Sequence, residues 1–304
     1  MAKTFKSKLK VILASIAIIV SSLESISVIA NEDNTKGEVK LTYVEWSSEV
    51  ASANVVRVVL EDLGYEVKLI PVSAAAMWQA VASGAAEGLV AAWLYTTHAL
   101  YLNAVKGKVD YLGPNLKGTK IGLVVPTYVT INSIDELNDH VKQFNKRIIG
   151  IDPGAGLMAK TEQVMKKYQL RKFKLVEGSG ATMTAALADA IKNKEWIVVT
   201  GWTPHWMFSR WELKYLDDPK NIYNPTGNPE EEYIGTIVRK GLKTDMPEVY
   251  QVLDNFYWEP ADMEQVMVWN EENNAPYENA KRWVAENPNK VKKWLSSENL
   301  KNSD

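Results

Sequence analysis

The 304-residue sequence contains no cysteine. This absence excludes a disulfide framework, a thiolate nucleophile and a cysteine-ligated metal. Histidine is also scarce, since only His98, His140 and His205 occur and none has the spacing of an HExxH motif. The sequence therefore predicts neither a zinc enzyme nor any other cofactor-dependent one.

Excess charge of either sign is absent as well. The formal net charge is −2 at pH 7, so neither nucleic acid nor an acidic membrane surface is a predicted partner. No GxSxG or other nucleophile signature occurs, and no pair of carboxylates stands out as general acid and base. An enzyme is not predicted.

The only strongly apolar run is a short one near the amino terminus. Lysines up to Lys10 precede the run Val11–Val20, and the small or apolar residues Val28-Ile29-Ala30 follow it. The run falls short of the roughly 20 apolar residues that a membrane span needs, so residues 1–30 are predicted to be a signal peptide and 31–38 a polar linker. The expected location is the periplasm, with anchoring by an uncleaved helix as the alternative.

From Val39 onward, the sequence alternates between short apolar runs and amphipathic helical stretches. The order strand, helix, strand, helix, strand is predicted for VKLTYVEW, ASANVVRVVLEDLG, YEVKLIPV, AAAMWQAVASGAA and GLVAAW. The same order recurs in RIIGID, GLMAKTEQVMKKYQL, KFKLVEG, ATMTAALADAIKNK and WIVVTGW. Alternation of this kind is typical of parallel sheets, so the chain is predicted to contain two similar α/β units.

The spacing of the two units supports the repeat. Trp46 lies 31 residues before Met77, and Asp152 lies 31 residues before Met183. In each unit the next strand ends in a tryptophan, and a histidine follows within a few residues.

Two further apolar stretches, IGLVVPTYV (121–129) and IGTIVRKGL, are predicted to cross between the units as a hinge. The predicted fold class is α/β, a two-lobed periplasmic binding protein (type II-like) with a mainly parallel sheet flanked by helices in each lobe. Residues 39–124 and 236–304 are assigned to lobe 1, with helices at its carboxyl end, and residues 125–235 to lobe 2.

Three tryptophans stand at predicted strand ends: Trp46 in VEWSSE, Trp93 in AAWLYTTH and Trp202 in TGWTPHW. Ligands bind at the carboxyl ends of strands in open α/β sheets, and aromatic ring faces attract quaternary ammonium groups. Three faces supply roughly 3–6 kcal/mol, whereas micromolar affinity needs about 8 kcal/mol. A second anchor is therefore expected.

The segment IDPGAGLM (151–158) is the candidate for that anchor. Asp152 and Pro153 are predicted to start a helix, while Gly154 and Gly156 let a ligand approach unpaired backbone amides that suit a carboxylate. An ordinary helix-start turn is the alternative, and a phosphate loop lacks its Lys-Ser/Thr partner. His98, five residues after Trp93, is a second candidate donor to an anion. Met77, Met183 and His205 are candidate cleft-lining residues, with core packing as the alternative.

These strings, together with EDLGYEV, LGPNLKG and GIDPGAG, resemble the glycine betaine-binding proteins of compatible-solute ABC importers, the OpuAC family. The resemblance runs from about Val39 to the carboxyl end. It implies an aromatic cage of Trp46, Trp93 and Trp202 for the trimethylammonium group. It also implies a carboxylate site made of His98 and the backbone amides of Gly156 and Leu157. One departure is Tyr95, where many relatives have proline.

The resemblance implies a monomeric binding protein that delivers glycine betaine, and in some members proline betaine, to a membrane permease and its ATPase subunits for osmoprotection. A choline- or carnitine-type ligand on the same fold is one alternative. A ligand-sensing module that reports to a membrane receptor is another.

Overall fold

The computed structural model describes residues 35–227 and 232–296, so the predicted signal peptide and most of the predicted linker lie outside the described residues. The described strands, in chain order, are β1 (Glu38–Tyr43), β2 (Glu66–Pro71), β3 (Gly88–Leu94), β4 (Val109–Lys117), β5 (Lys120–Pro126), β6 (Arg147–Ile149), β7 (Lys174–Val176), β8 (Val199–Thr203), β9 (Leu213–Tyr215) and β10 (Tyr233–Arg239).

The described α-helices are α1 (Ser47–Asp62), α2 (Ala74–Ala82), α3 (Ala99–Ala104), α4 (Gly156–Lys167), α5 (Gly180–Asn193), α6 (Met207–Arg210), α7 (Leu242–Asp245), α8 (Pro247–Asn255), α9 (Pro260–Asn273), α10 (Pro276–Glu286) and α11 (Pro288–Trp294). A 3-10 helix spans Ile134–Asp139.

The strands form two sheets with the same plan. One has the order β2-β1-β3-β10-β4 and the other β7-β6-β8-β5-β9. In each sheet three strands run parallel, and the fourth position holds an antiparallel strand, β10 or β5. The predicted fold class and the α/β repeat are thus confirmed. We call the first sheet with its helices lobe 1 and the second sheet with its helices lobe 2.

Continuous apolar sequence marks strands that are covered on both faces. All seven residues of β3 are buried, as are six of the seven in β5. Such strands lack the alternation of a half-exposed sheet because helices cover both sides, which is why they appear as uninterrupted apolar runs in the sequence.

The helix α1 shows how local sequence limits an element. Its apolar positions Val55, Val56 and Val59 are fully or almost fully buried. The helix stops where Gly64 adopts a φ of +95°, a conformation that is costly for a residue with a side chain. The predicted helix end at Gly64 is confirmed within two residues.

Prolines begin the carboxyl-terminal helices. Pro247, Pro260, Pro276 and Pro288 each stand at the first turn of a helix, where a missing N–H costs nothing. The stretch 275–295 holds two helices, α10 and α11, because Pro288 begins the second. Asp262 stands in the first turn of α9, and its side chain accepts a hydrogen bond from the Glu259 amide at 2.9 Å.

These helices pack against lobe 1. The hydroxyl of Tyr277 on α10 donates to Glu61 Oε2 on α1 at 2.6 Å, and the Arg57 guanidinium lies 4.4 Å from the Tyr277 ring. Between the helices, the rings of Trp283 and Trp294 stack at 5.7 Å. Several of the eleven tryptophans therefore fill the core rather than a ligand site.

The switch between sheets differs from the sequence-based boundary at residue 124. The seven residues of β5 all lie in the second sheet, so the chain leaves the first sheet at Lys117 and enters the second at Lys120. The stretches predicted as crossing strands each lie within a single sheet, β5 in the second and β10 in the first. The crossing itself is therefore made by the connections between strands.

The end of the predicted linker is part of the fold. The Lys36 amide donates to the Gly64 carbonyl at 2.8 Å, and the Lys36 ammonium pairs with Glu248 at 2.7 Å. Strands β4 and β9 were not predicted.

Candidate functional site

The three strand-end tryptophans meet in one cavity. Trp46 is the residue before α1, Trp93 lies near the end of β3, and Trp202 lies near the end of β8. The cavity has a small free volume of about 30 Å³. Its remaining walls are formed by Thr97, His98, Ile121, Ile151, Ala155, Gly156 and Leu157. Residues from both lobes thus close around one largely apolar space.

Two of the indoles are held by carboxyl groups. Trp46 Nε1 donates to Asp152 Oδ2 at 2.9 Å, and Trp93 Nε1 donates to Glu49 Oε1 at 3.0 Å. Each ring is therefore fixed by its N–H edge in addition to its packing. Asp152 belongs to lobe 2, so its bond to Trp46 also joins the lobes.

Glu49 is a buried carboxyl group in the first turn of α1. Burial raises its pKa to about 8, while the hydrogen bonds from Trp93 Nε1 and the Val44 amide lower the pKa. Sequence reasoning missed Glu49, because nothing in the pattern distinguishes it from the many surface carboxylates.

His98 is oriented so that one nitrogen remains available to a ligand. Its Nδ1 accepts a hydrogen bond from the Trp93 amide at 3.2 Å. The rings of Trp78 and Tyr101 pack against it edge-on at 5.9 Å and 5.5 Å. Burial lowers the pKa of His98 to about 3, so the ring is neutral at pH 7. Because Nδ1 accepts, the proton resides on Nε2, which makes Nε2 a hydrogen-bond donor.

The helix α4 brings backbone amides to the same cavity. It begins at Gly156 after Ala155, and no side chain caps it. The first amides of a helix have no intrahelical acceptor, so those of Gly156 and Leu157 can bind an anion. Asp152 and Pro153 do not begin this helix as predicted. The Asp152 side chain bonds to Trp46 instead.

Gly156 is in close contact with lobe 1. A Cβ atom at this position would lie 2.1 Å from the Thr97 carbonyl oxygen. Two residues earlier, the Gly154 carbonyl accepts from the Tyr101 hydroxyl at 2.6 Å. The lobes are therefore closed on each other at this end of the cavity.

His205 joins the lobes on the opposite side. Its Nδ1 accepts from the Met207 amide at 3.1 Å, and its Nε2 lies 3.3 Å from the hydroxyl of Ser47. The ring also meets Trp202 edge-on, with 4.5 Å between centroids. Burial lowers the pKa of His205 to about 3. His205 thus supports a wall of the cavity and contacts the other lobe.

The structure does not bring the two candidate methionines to the cavity wall. Met77 and Met183 are fully buried in helices α2 and α5. Thr97, Ile121, Ile151 and Ala155, which sequence reasoning did not single out, line the cavity instead.

The peptide bonds that join β3 and β8 to the loops after them have a shared feature. Leu94–Tyr95 and Thr203–Pro204 are both cis. Tyr95, the predicted departure from the family pattern, thus occupies the same place in its unit as Pro204 in the other.

The chemistry of this cavity is that of a binding site for an organic zwitterion. Aromatic walls attract a poorly hydrated cation, while His98 Nε2 and the α4 amides offer donors to an anion. Among the described residues, no group of three or more His, Asp or Glu side chains is placed to hold a metal ion. Within the same residues, no helix has the length and apolar character of a membrane span.

Comparisons with known proteins agree with this chemistry. Residues 37–286 match the model of the OpuAC family, described as the substrate binding domain of ABC-type glycine betaine transport systems. A glycine betaine/carnitine transport binding protein of Listeria monocytogenes is 50% identical over 167 residues, and the match spans only 54% of this chain and 54% of that protein.

Solved structures show the same fold. Lactococcal OpuAC, in its closed conformation with glycine betaine, matches with a TM-score of 0.81 and 46% identity over 86% of this chain and 100% of its own. A choline binding protein of an ABC transporter, in complex with choline, matches with a TM-score of 0.78 but 25% identity, over 85% of this chain and 91% of its own. The similarity to the choline binder is thus the weaker of the two.

Proposed function

The chain belongs to the OpuAC family of substrate-binding domains, and we propose that it binds glycine betaine between its lobes and delivers it to the membrane permease of an ABC importer. The permease works with ATPase subunits, and the accumulated betaine protects the cell against osmotic stress. The observation that carries this proposal is the cavity shared by Trp46, Trp93 and Trp202.

The two ends of glycine betaine suit the two kinds of wall. Its trimethylammonium group cannot donate a hydrogen bond and is attracted to indole faces, each worth about 0.5–2 kcal/mol. Its carboxylate can accept from His98 Nε2 and from the amides of Gly156 and Leu157. Charge-assisted hydrogen bonds of this kind add about 1.5–3 kcal/mol each, so the cage and the donors together cover the roughly 8 kcal/mol that micromolar binding needs.

The size of the cavity favours a small betaine. The free volume of the cavity is only about 30 Å³, so a compact ligand suits it better than a long one. Carnitine is the second candidate ligand because the name of the Listeria relative includes it, although carnitine is longer than glycine betaine and carries an additional hydroxyl group. Proline betaine shares both charged groups and is expected to bind at the same site.

Calorimetry tests the ligand and the cage together. Wild-type protein is titrated with glycine betaine, proline betaine, carnitine and choline, and the Trp202→Ala variant with glycine betaine. We expect micromolar binding of glycine betaine and a strong loss in the variant, because the cage loses its wall from lobe 2. Unchanged affinity in Trp202→Ala would contradict the cage, and tighter binding of choline than of glycine betaine would contradict the proposed ligand.

A His98→Ala variant separates the carboxylate site from the cage. Glycine betaine should lose affinity in this variant, whereas choline, which has no carboxylate, should lose little. An equal loss for both ligands would assign His98 a structural role only.

Substrate-binding proteins of ABC importers are extracellular or periplasmic, and the family is not an enzyme family. The finer proposal is a periplasmic monomer that is exported by residues 1–30 and has no turnover of betaine.

Lobe 1 and lobe 2 are proposed to move as the two units of closure. Cell fractionation, with mass spectrometry of the mature amino terminus, tests the location, and uptake of labelled betaine distinguishes an importer subunit from a sensor module.

A further inference from the structure

Glu49 is a buried carboxyl group that contacts the proposed cage and has no cationic partner. It is 1% exposed, and its Oε1 accepts from Trp93 Nε1 at 3.0 Å while Oε2 lies 3.5 Å from the Val44 amide. Within the part of the chain that the structure describes, no lysine or arginine pairs with it. A buried carboxyl group without a counter-ion favours its neutral form, unless a positive charge is brought close to it.

We propose that Glu49 supplies the counter-charge of the cage. Its carboxylate selects a ligand with a cationic head group over a ligand of the same shape with a neutral head group. This inference rests on the proposed function, since the cation is the ammonium group of the bound ligand. Glu49 is separated from the cavity by one indole, so it acts through Trp93 and by charge, without contact to the ligand.

Two effects combine at this position. An acceptor on the indole N–H increases electron density on the ring, and a cation is attracted to that density. The charges also attract each other directly, with little screening because the space between them is filled by a buried indole. Asp152 accepts from the other lobe 1 indole, but it is partly exposed to water and its charge is better screened.

The protonation of Glu49 should then change when the ligand binds. Burial raises its pKa to about 8, so the free protein holds mostly the neutral acid at pH 7. A cation in the cage favours the carboxylate and lowers that pKa, which releases a proton and makes affinity rise with pH.

The two histidines beside the cage do not mimic this behaviour. His98 and His205 have pKa values lowered to about 3 by burial, so both stay neutral between pH 6 and pH 8.5. Asp152 beside Trp46 and the exposed Glu45 on the loop before α1 are further ionisable side chains near the cage. Glu232, which accepts from a backbone amide of the loop after β3 at 2.9 Å, also has its pKa raised by burial, so a variant must separate its titration from that of Glu49.

The Glu49→Gln variant tests the proposal because it keeps an acceptor for Trp93 and removes the charge. Affinities for glycine betaine and for 3,3-dimethylbutanoate, its neutral-headed isostere, are measured at pH 6 and pH 8.5. Wild-type affinity for betaine should rise about tenfold between these pH values, and the variant should show no rise, a difference of about 1.4 kcal/mol at pH 8.5. The affinity for the isostere should not fall in the Glu49→Gln variant.

Proton release gives a readout that needs no variant. A tenfold coupling corresponds to about half a proton released at pH 7.5, which appears as a difference in binding enthalpy between phosphate and Tris buffers. The release should vanish in Glu49→Gln and persist in Glu45→Gln, which removes the same charge from an exposed position on the adjacent loop.

The outcomes separate the two proposals. A wild type that does not bind glycine betaine overturns the proposed function. A wild type that binds betaine without proton release, or a Glu49→Gln variant that weakens both ligands equally at both pH values, overturns only the role of Glu49. If Glu49→Gln fails to fold, a Glu232→Gln variant decides: proton release that persists in it supports the role of Glu49, and release that vanishes overturns that role.

Discussion

Substituting alanine for Gly156 should weaken ligand binding without weakening the ligand-free fold. The new Cβ would lie 2.1 Å from the Thr97 carbonyl oxygen and 2.6 Å from the Thr97 carbonyl carbon. Both are backbone atoms, so no side-chain rotation relieves the contact. Because Thr97 belongs to lobe 1 and Gly156 to lobe 2, the clash exists only when the lobes close.

The size of the effect follows from the separation that relieves the clash. The lobes must part by about 0.9 Å to reach 3.0 Å, below which Cβ contacts essentially never occur. That displacement would stretch two hydrogen bonds between the lobes to the limit of hydrogen bonding or beyond it. One joins Trp46 Nε1 to Asp152 at 2.9 Å, and the other joins the Tyr101 hydroxyl to the Gly154 carbonyl at 2.6 Å. Two hydrogen bonds at about 1 kcal/mol each give a loss of about 2 kcal/mol, or about 30-fold in affinity.

Calorimetry with glycine betaine measures the loss, and thermal unfolding without ligand measures the fold. The ligand-free melting temperature should not fall, because alanine is a better helix former than glycine by up to about 1 kcal/mol. Gly154→Ala is the matched control, since its Cβ would meet nothing closer than the Tyr101 hydroxyl oxygen at 4.0 Å. Unchanged affinity in Gly156→Ala, or an equal loss in Gly154→Ala, would refute the reasoning.

Three further outcomes are expected. Asp152→Ala should weaken betaine binding by about tenfold through loss of the Trp46 bond between the lobes, whereas Asp152→Asn, which keeps an acceptor, should retain most of the affinity in the same titration. His98 has a pKa lowered to about 3, so as the pH falls its ring is protonated in the unfolded state before it is protonated in the folded state. The free energy of unfolding therefore decreases as the pH drops below about 6.5. His98→Gln should therefore remove up to about 1.4 kcal/mol per pH unit from the pH dependence of urea unfolding between pH 5 and pH 6, and an unchanged slope would contradict burial of a neutral ring. Asp262→Ala removes the bonds to the Glu259 amide at 2.9 Å and to the Lys290 ammonium at 2.6 Å, so it should lower the free energy of unfolding by about 1–2 kcal/mol while calorimetry finds betaine affinity unchanged.

The repeat and the strand-end tryptophans could be predicted from the sequence because both depend on local pattern. Buried parallel strands appear as continuous apolar runs, and their carboxyl ends lie at one edge of the sheet. Topology thus places Trp46 and Trp93 at one edge of the first sheet and Trp202 at the corresponding edge of the second, and the three share a cavity where the lobes meet. The 31-residue spacing from Trp46 to Met77 and from Asp152 to Met183 results from the same order of strands and helices in the two units.

The partners of the indoles could not be predicted in this way. Asp152 stands 106 residues from Trp46, and its position before Pro153 is equally typical of a helix start. Glu49 lies 44 residues before Trp93, and only the tertiary fold shows that it is buried. The first pairing depends on how the two lobes meet and the second on how α1 packs on β3, and no periodicity in the sequence records either.

Missed strands have simpler causes. Gly113 and Pro114 interrupt the apolar pattern of β4, and an edge strand tolerates such residues because one side needs no partner. Strand β9 has only three residues and lies outside the repeated strand–helix order that identified the equally short β6 and β7.

The position of β10 has a consequence for how the chain acquires its structure during synthesis. In the first sheet β10 lies between β3 and β4, so those two strands have no bond to each other. Residues 120–215 carry all five strands of the second sheet and are made before β10 emerges. A nascent chain can thus complete the sheet of lobe 2 while lobe 1 still has a gap one strand wide. The side of the cavity that holds Trp46 and Trp93 comes earlier in the sequence. Its sheet is nevertheless completed after the sheet that holds Trp202.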